Sequence, residues 1–322
     1  MSVTLRPPGG DAPPPGLPRL MALGLIASAL FSVTFILNRA ISLAHGPWVW
    51  SAVLRYLDTA VLLGGWLLVR RGPRYLGQVL GVFRARLPFW LLAGTVGCGV
   101  FYAGCCYAAD HAPGWIVAAT WQSTIQASPL VLRAFGARVP LRGVAFMGLI
   151  FAGIVGLNAR RLAGGVPAEQ ILTGVVPILL AAVAYPTGNQ LLHRARHADA
   201  RSSATLADPI AAVLLMTLGS LPAFAALVLA VRPPPPGAEQ VVATAIVALF
   251  AGCLATTLFL YTRNLSRDPW RIAAVDATQA GEVGFALLGE VVLLGAPLPD
   301  LASWAGLLAV VGGLVGFTLR GK

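Results

Sequence analysis

The sequence predicts an all-α, polytopic membrane protein of ten transmembrane helices, arranged as two five-helix repeats of opposite orientation. Three observations carry that prediction: the composition, a succession of ten apolar segments, and the placement of the basic residues between them. Of 322 residues, 57% are hydrophobic and 11% charged, against about a quarter charged in soluble domains. The net charge of +11 would suit a nucleic-acid binder, but the arginines fall in short stretches between apolar runs, where they act as orientation signals. The expected partners are the lipid bilayer and a small-molecule substrate, with no nucleic acid.

Residues 1–19 are rich in Pro and Gly and lack an apolar core, which predicts a disordered tail rather than a signal peptide. Apolar segments then cover 20–42, 48–69, 88–109, 115–132, 142–158, 171–192, 209–231, 241–262, 272–294 and 301–319. These runs suit membrane helices of roughly 20 residues and are about twice the length of a barrel strand, and they lack its alternation.

From the N-terminus, alternate connections hold Arg6 and Arg19; Arg70, Arg71, Arg74, Arg84 and Arg86; and Arg133, Arg138 and Arg142. The same side continues with Arg194, Arg196 and Arg201, then Arg263, Arg267 and Arg271, then Arg320 and Lys322. The opposite side holds only Arg160, Arg161 and Arg232. Basic loops face the cytoplasm, so an even number of spans with both termini inside is expected.

The halves 20–158 and 171–319 resemble each other. FILNRAIS (35–42) aligns with PTGNQLLH (186–193), superposing Asn38 on Asn189, and ATWQST (119–124) aligns with DATQAG (276–281), superposing Gln122 on Gln279. VPL (139–141) matches APL (296–298), and GIVGL (153–157) matches GLVGF (313–317), in the same order. Five spans is an odd number, so the repeats must be inverted, as in carriers that alternate their access.

The stretches TFILNRAISLAHGPWVWSAVLRY (34–56), GWIVAATWQSTI (114–125) and AAVDATQAGEVGFALLGEVVLLGAPLP (273–299) resemble the putative multidrug resistance efflux transporter family, within the drug/metabolite transporter superfamily. The resemblance runs from about Leu20 to Leu319. It implies ten helices in an inverted five-plus-five repeat, a bacterial inner-membrane location, and secondary-active export. Small multidrug exporters of that superfamily carry a glutamate in their first helix. Here LMALGLIASALFSVTFILNRAIS has no carboxylate, so an exchanging acid must lie elsewhere.

The ninth segment supplies the candidates. Glu282 falls about 15 Å into it, near the membrane midplane, with Asp276 and Glu290 to either side. At about 100° per residue, Asp276, Gln279, Glu282 and Glu290 share an arc of about 120°, a polar stripe that must face the bundle interior. Neither intramembrane arginine reaches the depth of Glu282 easily, and burial there favours the neutral acid, which marks Glu282 and Asp276 for proton coupling or substrate binding.

Arg39 and Arg55 lie nearer the depth of Glu290, so a Glu290–arginine pair is expected. Arg55 and Asp58 are spaced to neutralise each other on one helix. Gln122 and Gln126 share a helical face beside Trp121, whose ring could stack on an aromatic cation. Asn38 and Asn189, like Gln122 and Gln279, are repeat partners, each serving either a site or interhelical hydrogen bonding. Pro129, Pro177, Pro186 and Pro222 lie within spans, where each removes a backbone hydrogen bond.

Cys98, Cys105, Cys106 and Cys253 sit in apolar runs without metal spacing and read as packing residues. No HExxH, GxSxG, P-loop or dinucleotide motif occurs, so no enzyme, metal or cofactor is expected. Without an ATPase motor, a proton gradient is the expected driving force. The expected cargo is a small organic compound, cationic or amphipathic. A metabolite or amino-acid exporter is the alternative within transport, and a non-transporting sensor or binding protein the alternative outside it. One chain holds both repeats, so a monomer suffices and a homodimer is compatible.

Overall fold

The computed structural model describes residues 16–136, 144–196, 204–266 and 269–320. Tail residues 1–15, Arg138, Arg142, Arg201 and Arg267, and the VPL match at 139–141 lie outside the described residues. All regular structure among the described residues is helical.

The first span is α1 (Leu17–Leu43), opened by Pro18 in its first turn, where a missing N–H costs nothing. It is followed by α2 (Trp48–Arg71). A short amphipathic helix comes next, α3 (Pro73–Ala85), in the stretch read from sequence as a basic loop. It buries Val79 and Val82 against α2 and α9 and leaves Arg74 and Arg84 exposed. Helix α4 runs from Leu87 to His111 through a π-helical turn at Thr95–Val100.

The fourth apolar segment is not one helix. It breaks into α5 (Gly114–Trp121) and α6 (Thr124–Ala134). Then come α7 (Val144–Ala163), α8 (Ala168–Arg196) and α9 (Pro209–Val231). Helix α10 (238–264) carries a second π-helical turn, Ala248–Ala255. The ninth segment is α11 (Pro269–Ala277) and α12 (Gly281–Leu294), joined by a 3-10 turn at Thr278–Ala280. The last helix is α13 (Leu301–Arg320).

Eight stretches among the described residues are long and apolar enough to cross a bilayer: α1, α2, α4, α7, α8, α9, α10 and the 274–294 stretch. The broken α5–α6 pair and α13, with an apolar run of 301–316, fall short of that measure. Large side chains left uncovered on these helices, such as Val61 (72% exposed), Leu229 (74%) and Val292 (68%), suit a surface solvated by lipid rather than water.

Two ends can be distinguished: a near end, holding Gly16 and α3, and a far end, holding the α1–α2 connection. Helix α13 packs along α7, α8 along α4, α9 along α2, and α1 along α12 and the π-turn of α10. Glycines permit the closest approaches. A Cβ on Gly188 of α8 would lie 2.2 Å from the Cα of Gly97 in the π-turn of α4, and one on Gly219 of α9 would lie 2.0 Å from the carbonyl oxygen of Trp90. Such backbone contact is how membrane helices gain packing energy without large side chains.

Candidate functional site

Two interruptions lie at corresponding places in the fourth and ninth segments. Around Gln122 and Ser123 the backbone tightens: Gln122 N–H donates to Ala119 and Ser123 N–H to Thr120. Gln122 is therefore the C-cap of α5, while Gln126 lies in α6, so the shared face predicted for the two does not form. Gln122 is buried and its amide returns to the Ala118 carbonyl at 3.3 Å. Gln126 donates to the Met147 carbonyl of α7 at 2.8 Å.

At the other interruption, Ser28 Oγ of α1 donates to the Thr278 carbonyl at 2.7 Å, satisfying a group left by the 3-10 turn. Gly24 makes room, since a Cβ there would meet Thr278 Oγ1 at 2.3 Å. No hydrogen bond joins Gln122 to Gln279 among the described residues; Gln279 is half-buried.

The acids divide by environment. Glu290, 1% exposed, accepts from the Gly114 N–H at the start of α5. It thereby satisfies a helix N-terminus with a negative charge. The expected Glu290–arginine ion pair is not formed. Arg39 instead donates to the Ala109 carbonyl at 2.9 Å, and it acts on Glu290 only at longer electrostatic range. Its neighbours are the backbone N–H groups of Gly114 and Trp115, with the Arg39 cation acting without a hydrogen bond.

Glu282, 6% exposed, has no hydrogen bond or ion pair among the described residues. It lies about 20 Å along the 269–294 segment, at mid-depth. Asp276 is half-buried nearly two turns toward the near end.

Arg55 and Asp58 do not pair either. The Arg55 guanidinium carbon stacks 3.9 Å from the Tyr102 ring centroid, and Asp58 Oδ2 is buried without a partner. The face of an aromatic ring on α4 offers Arg55 an attraction in place of a pair on its own helix. Asn38 exchanges hydrogen bonds with Tyr102 Oη at 3.2 and 3.3 Å. Asn189, its repeat partner, is exposed on α8, one turn from Tyr185 and bonded to it.

Three aromatic side chains that sequence reasoning did not connect meet here. Phe101 lies 4.8 Å from Trp121 and 5.0 Å from Tyr185, and Trp121 lies 5.6 Å from Tyr185, between centroids. Tyr185 is 40% exposed and within electrostatic reach of both Glu282 and Arg55. Helix spacing could not have revealed this cluster, since its members come from α4, α5 and α8. Below it, a crevice of about 510 Å³ opens between α6 and α8, lined by Ser123, Gln126, Ala127, Val131, Ala182 and Thr187 among others.

A chain with eight apolar stretches of bilayer length and an acid buried at mid-depth on one of them is a polytopic membrane protein. The family described as "Putative multidrug resistance efflux transporter" matches residues 18–322, and the chain belongs to it. The chain is also similar to "Uncharacterized protein YjlA" of Bacillus subtilis (strain 168), 36% identical over 318 residues, covering 92% of this chain and 93% of the relative. A protein of Shouchella clausii, "Uncharacterized 42.1 kDa protein in intracellular alkaline protease 3'region", is 32% identical over 277 residues, with 82% and 70% covered. A solved crystal structure, 20% identical, superposes with a TM-score of 0.57 over 94% of this chain and 98% of the other, which supports the fold.

Proposed function

We propose that this protein is a secondary-active exporter of small organic compounds, cationic or amphipathic in character, working by proton antiport in a bacterial inner membrane with both termini in the cytoplasm. Glu282 carries the reading. It is a buried acid at mid-depth, bound to nothing else among the described residues and close to Tyr185. Such a group exchanges a proton for a cation without breaking a structural bond, which is what antiport requires. Asp276 and Gln279 continue the polar stripe toward the near end, and Trp121, Gln122, Gln126, Asn38 and Asn189 surround the route. A metabolite exporter uses the same elements with a different cargo.

The ten-span, inverted-repeat arrangement of 20–158 and 171–319 belongs to this proposal. Support comes from the third helix of each half, which carries a π-turn, and from the fourth, which is interrupted where Gln122 and Gln279 superpose. A single chain then suffices for transport, and a homodimer is not required.

The test is proton release. Purified protein in weak buffer is titrated with quaternary and aromatic cations, beside Glu282→Gln. Release by the wild type and none by the variant supports competition of cargo and proton at Glu282. Equal release by both would remove Glu282 from the coupling step, and binding without flux in proteoliposomes would leave a sensor or binding protein.

A further inference from the structure

Arg55 lies seven residues into α2, about 10 Å below the far end and inside the apolar layer. A guanidinium keeps its charge at any accessible pH, and a buried charge without a counter-ion is strongly unfavourable. The ion pairs described, Arg71–Asp208 and Arg160–Asp300, stand at opposite ends of the bundle and leave Arg55 out. Asp58, the acid nearest in sequence, does not reach it, and Arg55 Nη1 is buried with no hydrogen-bond partner.

The ionisable groups that surround Arg55 are Tyr56, Tyr102, Tyr185, Cys98, Cys105, Cys106 and Cys253. Phenols and thiols are uncharged near neutral pH, so none supplies the missing negative charge. The ring beneath Arg55 continues the aromatic path. Tyr102 is 6.0 Å from Phe101, which touches both Trp121 and Tyr185. Glu282 lies beyond Tyr185 in the same region.

We propose that Arg55 binds an anionic group of the cargo, a carboxylate, while Phe101, Trp121 and Tyr185 hold its apolar body and Glu282 meets its opposite end. The site then has two poles, and its cargo is a small aromatic compound with a negative group, zwitterionic when it also carries an ammonium. A planar guanidinium already braced on Tyr102 is preorganised to donate to both carboxylate oxygens. This inference rests on the transporter reading for its setting and adds the chemical class of the cargo.

The test uses ligand pairs that differ only at the anion: phenylalanine against phenylalaninamide, and 3-phenylpropanoate against 3-phenylpropanamide. Binding to the purified protein is measured by calorimetry for the wild type, Arg55→Lys and Arg55→Met. The wild type should prefer each acid over its amide by about tenfold or more, the size of a charge-assisted pair. Arg55→Lys should keep part of that preference and Arg55→Met none.

Thermal unfolding of Arg55→Met should be no earlier than wild type, because the substitution removes an uncompensated charge. Should that variant fail to fold, the wild-type pairs and Arg55→Lys still decide. Equal affinity for acid and amide, no binding by any of the four compounds, or a preference that survives in Arg55→Met would each overturn the proposal. Acid-selective binding without flux in proteoliposomes would end the transporter reading and leave the Arg55 site standing. Cation flux indifferent to Arg55 would do the reverse.

Discussion

Glu290 and Glu282 stand on one helix, and their surroundings assign them different work. Glu290 closes the N-terminus of α5 through the Gly114 N–H, so its substitution tests structure. Glu290→Ala should lower stability by about 1–2 kcal/mol, the usual size of a lost cap, read as an earlier thermal unfolding of the purified protein. Glu290→Gln, which keeps an acceptor oxygen, should lose less.

At the near end, Asp208 caps α9 by accepting from the Ile210 N–H at 2.9 Å and also accepts from Tyr75 Oη of α3 at 3.2 Å. Burial first, and then the Asp208 charge, push the Tyr75 phenol from 10.0 up to about 12. The fold therefore holds the proton more tightly than the unfolded chain. The associated stability is complete below the unfolded value of 10.0 and is lost as the pH rises toward about 12. Thermal scans across that interval should show a steeper decline for the wild type than for Tyr75→Phe.

Elements meet most closely where glycines face each other. With the Gly97 Cα 2.2 Å from where a Gly188 Cβ would stand, Gly188→Ala forces α4 and α8 apart. A cost of about 1–3 kcal/mol is expected from overpacking of this kind. Gly64→Ala on α2, where an added Cβ meets nothing within 4 Å, should be nearly neutral in the same unfolding assay. The spans themselves were legible because apolar runs of bilayer length have few other fates.

The interruptions were not legible. Neither Gln122 nor Ser123 is a helix breaker, and the tightening there belongs to the packing of α5 against α12 and of α6 against α8. The π-turns leave no mark in a hydropathy pattern. Helix α3 was read as a loop because five arginines lie in and around it, masking the short apolar face of Val79 and Val82. Local spacing likewise suggested Asp58 for Arg55, whereas the ring that holds Arg55 comes from a helix some fifty residues later.

In the whole molecule, contacts between helices hold both ends. At the far end α5 packs against both α1 and α12, Arg161 of α7 donates to the His111 carbonyl at 3.1 Å, and Trp50 of α2 donates to the Pro234 carbonyl at 2.8 Å. At the near end Arg194 of α8 donates to the Phe135 carbonyl at the end of α6 at 3.4 Å and stacks 4.4 Å over its ring, at the edge of the crevice between those helices. With the termini inside, as proposed, the far end faces outward and the near end the cytoplasm. Cysteine substitutions at exposed positions outside the spans check the orientation. Gly237→Cys should react with an impermeant maleimide on intact cells, and Gly77→Cys only after the membrane is opened. The reverse pattern would invert the topology and, with it, the direction of export.

The stripe of acids was legible from periodicity, but its division of labour was not, since that depends on which backbone N–H groups and rings arrive from other helices. The contact between Gly97 and Gly188 has a mechanical meaning as well. Backbone meets backbone here, as it does again where a Cβ on Gly104 would lie 2.6 Å from the Pro177 carbonyl oxygen, so the two helices share a smooth seam and the Gly97–Gly188 contact acts as its bearing. The end of α8 at Arg196 lies eight residues from that point, a lever of about 12 Å. A tilt of about 10° about the bearing would carry that end some ~2 Å sideways, widening or narrowing the crevice beside it while the bearing itself stays in place.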